Sequence, residues 1–192
     1  MAIVLSKPSL ELLPSYLEAL AEGSFCNMAL GDFGDESVEK ISEDPSGYIA
    51  RITDPAPRKV KVPNGSVYEL RNHELWWLHD GLRFLGTVSL RFAGDREVIE
   101  EYGGHVGLAI RPALLNKGYG VRAAQLAWKL VAETAISHGL RAILVTCNPD
   151  NAPSRRLIEH NGGKLVKRLE DALGTGPSLL YEIVLTPVTE VT

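Results

Sequence analysis

Cysteine, methionine and aromatic residues are scarce in this chain, and no sign of charge dominates it. Its only cysteines, Cys26 and Cys147, stand far apart in 192 residues. That excludes a disulfide scaffold and fits a reducing compartment, so the cytoplasm is the expected location. No Cys/His cluster has zinc spacing and no EF-hand loop is found, so no metal is expected. No apolar run approaches the roughly eighteen residues of a membrane span. The opening MAIVLSKPSLELLP lacks the basic start, long apolar stretch and cleavage site of a signal peptide. A formal net charge of −4 gives no electrostatic reason to expect nucleic acid as a partner, and nothing calls for a membrane. The pattern G-x-x-x-x-G-K-[ST] is also missing, which sets aside a P-loop nucleotide hydrolase.

What remains is an ordinary globular composition, 45% hydrophobic and 23% charged. The length suits one domain over residues 1–192 with a sizeable core. Ala2–Leu5 reads as a strand and Ser9–Ala21 as a helix, with Leu10, Leu13, Leu17 and Leu20 on one side. A short helix is expected around Glu36–Ser42. Residues 54–65 combine three prolines with three basic residues and read as an exposed, mobile loop. Glu74–His79 and Leu82–Leu90 are strand-like runs joined by Asp80-Gly81, a hairpin signal. His105–Ile110 is a further strand, and Arg141–Cys147 a buried one. Asn151 can cap a helix through about Glu159, and Lys164–Arg168 can pair with Leu179–Leu185 as a final antiparallel hairpin. A strand–helix–strand unit beside hairpins implies a mixed sheet in an α/β (α+β) fold.

The densest information lies in Gly107–Ser137. A short apolar strand ends at Arg111-Pro112, a loop carries Lys117-Gly118-Tyr119-Gly120, and a long helix follows. Arg122, Gln125, Lys129, Glu133 and Ser137 make one narrow polar face, as on a helix mostly packed against a sheet. Two glycines one residue apart allow close approach, and the helix start presents N–H groups without intrahelical partners. With the positive end of the helix dipole, residues 116–121 form an expected anion site, with pyrophosphate as its ligand. A plain glycine turn with no ligand is the competing reading.

Three segments together resemble the GNAT superfamily of acyl-CoA-dependent N-acetyltransferases. They are GGHVGLAIRP, LLNKGYG and NPDNAPSRRLIEHNGG. The second is similar to the family's Q/R-x-x-G-x-G/A loop at Gly118 and Gly120. The third is similar to N-x-x-A-x-x-L-Y-E-x-x-G-F, with Asn151, Ser154, Leu157, Glu159 and Gly162 in register. The pairing of the first with the third looks like a bacterial branch described as predicted acetyltransferases. The resemblance implies a single GNAT-like domain whose mixed sheet splays between the strand ending near Ile110 and the strand Arg141–Cys147, with acetyl-CoA in the opening.

The resemblance further implies that the pantetheine arm pairs with the backbone of Leu108, Ala109 and Ile110. The pyrophosphate would lie on the amides of Asn116, Lys117, Gly118, Tyr119, Gly120 and Val121, and Asn151 would hydrogen-bond the arm, with Asn148 and Ser154 as nearby candidates. The Ile110 N–H would be the oxyanion donor. Direct transfer to a primary amine of a small molecule or peptide is the implied reaction. Dimerisation is common in such folds, and nothing in the sequence decides it. Two positions depart from the pattern: Leu115 stands where the loop begins with Arg or Gln, and Ile158 stands where many relatives carry a tyrosine acid. These departures keep open a non-catalytic acyl-CoA sensor.

A thiol's ordinary pKa of about 8.5 lets a thiolate leave without an obligatory acid. The amine still needs to lose a proton, and His105 is the candidate base, since imidazole titrates near neutrality. The glutamate used by some relatives aligns one position earlier, at Gly104. Glu100 and Glu101 could act through water, although a solvated acidic loop is the simpler reading. Cys147 has no neighbouring histidine and reads as core. On the hairpin that walls the acceptor side in such folds, at most one of Trp76 and Trp77 should face a pocket. Arg91 reads as a surface arginine or a partner for a substrate carboxylate.

Overall fold

Alternating apolar runs in the middle of the chain build one mixed sheet. The computed structural model describes residues 2–23, 37–61, 65, 67–93, 99–100, 103–115, 119–171 and 176–186. The strands are β1 (Val4–Ser6), β2 (Arg58–Lys61), β3 (Val67–His79), β4 (Phe84–Ala93), β5 (Val106–Ile110), β6 (Ala142–Cys147), β7 (Lys164–Leu169) and β8 (Ser178–Val184). They lie in the order β1-β3-β4-β5-β6-β8-β7, with β2 pairing with β3 off this path. Only β5 and β6 run parallel; the other named pairs are antiparallel. The helices are α1 (Leu13–Ala21), α2 (Val38–Glu43), α3 (Pro45–Thr53), α4 (Tyr119–Ser137) and α5 (Ala152–His160). The parallel pair needs a crossover, and α4 supplies it.

Each face of the sheet has its own core. Trp76, Val88 and Leu90 pack with Ala123, Ala127, Val131 and Ala135 of α4 on one face. Trp77 and Phe84 pack with Tyr16 of α1 and with Tyr48 and Ile52 of α3 on the other. The adjacent tryptophans point opposite ways because strand side chains alternate, and both are buried core residues. Trp77 stacks on Tyr16 at 4.8 Å between ring centroids and meets Phe84 edge-on at 5.5 Å. Burying a side chain of this size contributes about 1.5–3 kcal/mol, so these rings fix how α1 sits on the sheet.

Three departures from the sequence reading have physical causes. The first helix starts at Leu13 rather than Ser9, because Pro14 has no N–H to bond the carbonyl of Leu10. Arg58–Lys61 is a strand paired with Val67–Leu70, not a mobile loop. The prolines at 55, 57 and 63 flank that run without interrupting it. The sequence also missed α3, whose start is set by Asp44 accepting the Gly47 N–H at 2.9 Å, with Pro45 in the first turn.

Candidate active site

The parallel pair opens almost as soon as it forms. Val106 is in register with Val145, and beyond that point β5 and β6 have no further paired residues. On its other side β5 stays in register with β4 from Val106↔Leu90 to Ile110↔Gly86. The Arg91 N–H donates to the His105 carbonyl at 2.8 Å, and the Arg111 N–H to the Leu85 carbonyl at 2.9 Å. In an antiparallel ladder hydrogen-bonded and non-bonded pairs alternate. Gly107 and Ala109 therefore turn their backbone groups toward β4, as do the His105 carbonyl and the Arg111 N–H, while Val106, Leu108 and Ile110 turn theirs toward β6. Past the Val106 register, β6 gives Leu108 and Ile110 no strand partner. Those polar groups need a partner from water or a ligand. Ala109, grouped with them in the sequence reading, differs: its N–H and C=O face Thr87, so it cannot extend the ladder into the split.

The narrow end of the split is clamped. Gly104 sits at φ +79°, and a Cβ there would lie 2.6 Å from the Leu144 carbonyl oxygen. The Thr146 hydroxyl donates to the Gly103 carbonyl at 2.9 Å. Arg91 is 4% exposed, and its Nε and Nη2 donate to the carbonyls of Gly104 and Gly103 at 3.0 and 3.3 Å. This corrects its reading as a surface or acceptor-binding arginine. His105 donates its N–H to the Leu144 carbonyl at 2.7 Å, and its Nδ1 accepts the Leu144 N–H at 2.8 Å. A neutral imidazole has one ring nitrogen lone pair to offer. That pair is spent on Leu144, so the geometry counts against His105 as a base and makes it part of the clamp.

From the clamp a solvent-open cleft runs between the strands and the two helices. Leu108 and Val145 line it from the sheet, Ala127 and Trp128 from α4, and Ser154 and Ile158 from α5. Ile158 therefore occupies the expected tyrosine position within the cleft, but without a proton to give. Tyr181 of β8 does not line the cleft, and its hydroxyl donates to Glu159 at 3.2 Å. Burial pushes its pKa up. Burial likewise holds the Cys147 thiol above its ordinary value, which favours the protonated core residue expected from sequence.

Asn151 caps α5, its side-chain oxygen accepting the Ser154 N–H at 3.1 Å. The cap leaves the amide nitrogen as the donor Asn151 could offer a ligand. The Asn148 side-chain oxygen is used locally, accepting the Asp150 N–H at 2.8 Å. Tyr119 opens α4 next to Gly120 and the exposed Val121, and Leu115 is also exposed. Asn116, Lys117, Gly118, Glu101 and Cys26 lie outside the described residues. Among those described, no group of three or more His, Cys, Asp or Glu could hold a metal, and no helix is long and apolar enough to cross a membrane.

Sequence reasoning missed Trp128, Asn161 and the Arg111 contacts. Trp128 carried no motif and Asn161 stood at an unspecified position of the third segment, so only packing brings them to the cleft. The arrangement suits the pantetheine arm of coenzyme A, an extended chain of two amides separated by methylenes. The edge of β5 presents the backbone groups of Leu108 and Ile110 without a strand partner, and mostly apolar side chains line the cleft beside Leu108.

A family model described as the acetyltransferase (GNAT) domain matches residues 38–164 of the chain. No curated protein sequence matches the chain significantly. Among solved structures, a probable acetyltransferase superposes with a TM-score of 0.65 at 15% identity, covering 95% of this chain and 93% of its own. The microcin self-immunity acetyltransferase MccE, in complex with acetyl-CoA and AMP, gives 0.57 at 14% identity, with 95% and 92% covered. RimL, a ribosomal alpha-N-protein acetyltransferase in complex with coenzyme A, gives 0.58 at 13% identity, with 96% and 95% covered.

Proposed function

The chain belongs to the GNAT acetyltransferase family, and from that premise we propose that it transfers an acetyl group from acetyl-CoA directly to a primary amine, with both substrates held in the split. The observation that carries this reading is the one-sided β5, whose Leu108 lines the open cleft and whose Leu108 and Ile110 backbone groups turn away from β4 with no partner strand. Acetyl-CoA, when bound, supplies an activated thioester. Leu108 offers backbone hydrogen bonds to the pantetheine amides. Ile110 offers its N–H to the acyl oxygen, where a fixed donor is worth more than a mobile water. Residues 116–121 are the proposed pyrophosphate cradle, with Asn151 and Ser154 as donors to the arm.

With the His105 ring tied to Leu144, proton removal falls to water at the mouth of the cleft. The rate should then follow the acceptor amine's own ionisation, rising with pH toward that amine's pKa. The departing sulfur leaves as thiolate, since Ile158 has no proton to supply. The solved structures of this fold include a ribosomal alpha-N-protein acetyltransferase and a microcin self-immunity acetyltransferase, so the acceptor is carried only as far as a primary amine of a small molecule or peptide. A single domain over residues 1–192, acting in the cytoplasm, completes the proposal.

Ile158 also favours a second reading, a CoA-binding sensor without turnover. Thiol release from acetyl-CoA with a panel of primary amines separates the two. Amine-dependent release supports the transferase. Tight CoA binding with no release above the amine-free rate across the panel supports the sensor.

A further inference from the structure

The open side of β5 raises a mechanical problem. Past Val106, the strand is held by β4 alone, and a strand end supported on one edge opens readily. The donor amide of Ile110 lies in that stretch, yet a donor is effective only when its direction is fixed.

The residue that follows it is unusually well anchored. The Arg111 side chain is only 11% exposed. Its Nε donates to Glu22 Oε1 at 2.8 Å, and its Nη2 reaches the same oxygen. Its Nη1 donates to the Ser15 hydroxyl at 3.2 Å, and that hydroxyl also accepts the Phe84 N–H at 3.1 Å. The second oxygen of Glu22 accepts the Ala113 N–H at 3.2 Å. Glu22 therefore holds both the side chain of Arg111 and the backbone two residues on. Ser15, Glu18 and the C-cap Glu22 recur at helical spacing, so one face of α1 and its C-cap meet the end of β5. Glu18, 68% exposed and 3.4 Å from Nη2, adds little because water screens it. Glu22, 27% exposed, is the partner that matters.

We infer that Arg111 and Glu22 are positioning residues that hold the free end of β5, and with it the Ile110 amide, against α1 in place of the missing strand partner. The catalytic part of this inference rests on the acetyl-transfer reading; the mechanical part does not. The same clasp ties α1 to the segment leading into the cofactor loop.

Two variants test it: Glu22→Gln, which keeps shape and removes charge, and Arg111→Lys, which keeps charge and removes the planar fork. The first readout needs no substrate. Amide exchange followed by NMR at Ala109 and Arg111 should accelerate about tenfold or more in either variant, while Ile143 in β6 stays as in the parent. The second readout is steady-state kinetics at saturating amine. The value of kcat should fall on the order of ten- to a hundredfold, as expected when a reacting group is misplaced. The KM for acetyl-CoA should stay within about twofold. Unchanged exchange at Ala109 and Arg111 overturns the inference. So does an altered KM with kcat intact, which would make the clasp a cofactor-loop support, or a lowered thermal midpoint with kcat intact. If the parent protein shows no amine-dependent turnover, the acetyl-transfer reading falls and the exchange data alone decide the clasp.

Discussion

Gly104 brings the two strands of the split closer than any side chain would allow. Its φ of +79° and the 2.6 Å approach of a Cβ to the Leu144 carbonyl mean that even alanine strains the backbone and pushes β5 from β6. Gly104→Ala should cost about 1–3 kcal/mol, read as a lower denaturant midpoint with an unchanged slope. At His105 the contrast between two substitutions is the test. His105→Asn can still offer an oxygen to the Leu144 N–H and should keep its pH–rate profile. His105→Ala leaves that buried N–H without its acceptor and should lose about 1–3 kcal/mol of stability. A pH–rate limb lost in the asparagine variant would restore His105 as a base. The sequence showed that a histidine begins this strand. It could not show where the ring's lone pair goes, because Leu144 is 39 residues away. Arg91 was opaque for the same reason: its partners, the carbonyls of Gly103 and Gly104, have no signature in side-chain identity.

Among the elements, the β3–β4 hairpin was legible from Asp80-Gly81, although the connection runs over Asp80–Arg83 and β4 begins at Phe84 rather than Leu82. Asp80 accepts the N–H of Arg83 at 2.9 Å and its Nη2 at 2.6 Å. Burial alone would raise the Asp80 pKa, but these hydrogen bonds and that from Leu82 outweigh it and hold the carboxyl below its ordinary value. A carboxylate whose folded pKa lies below its unfolded one stabilises the fold above the unfolded pKa, about 4. That contribution fades as pH falls through the lower folded value. Wild type should therefore be more stable than Asp80→Asn at neutral pH, and urea midpoints should converge toward pH 2. A gap unchanged with pH would show that the hairpin does not depend on this charge. The helices α4 and α5 were legible because their faces and caps are local. The strand β2 and helix α3 were not, because proline density masked a paired run in one case and a short capped turn in the other. The open edge of β5 was implied by family resemblance but not by its residues; only the register shows which amides face outward.

For the whole molecule, the ligand proposed for the cleft beside β5 should stabilise the fold. Coenzyme A at a hundred times its Kd should add about 2.7 kcal/mol, or roughly 5–10 °C in Tm for a domain of this length. Gly120→Val, in the first turn of α4, should fold yet lose most of that shift. A folded Gly120→Val protein with the full shift would move the pyrophosphate away from residues 116–121. The split rests on an alternation across four residues of β5 and its end, which amide exchange by NMR can read directly with and without coenzyme A. Leu108 and Ile110 should gain protection when CoA binds, whereas Ala109 and Arg111, already bonded to β4, should change little. Equal protection of all four, or none at Leu108 and Ile110 despite saturating CoA, would contradict the split as the donor site.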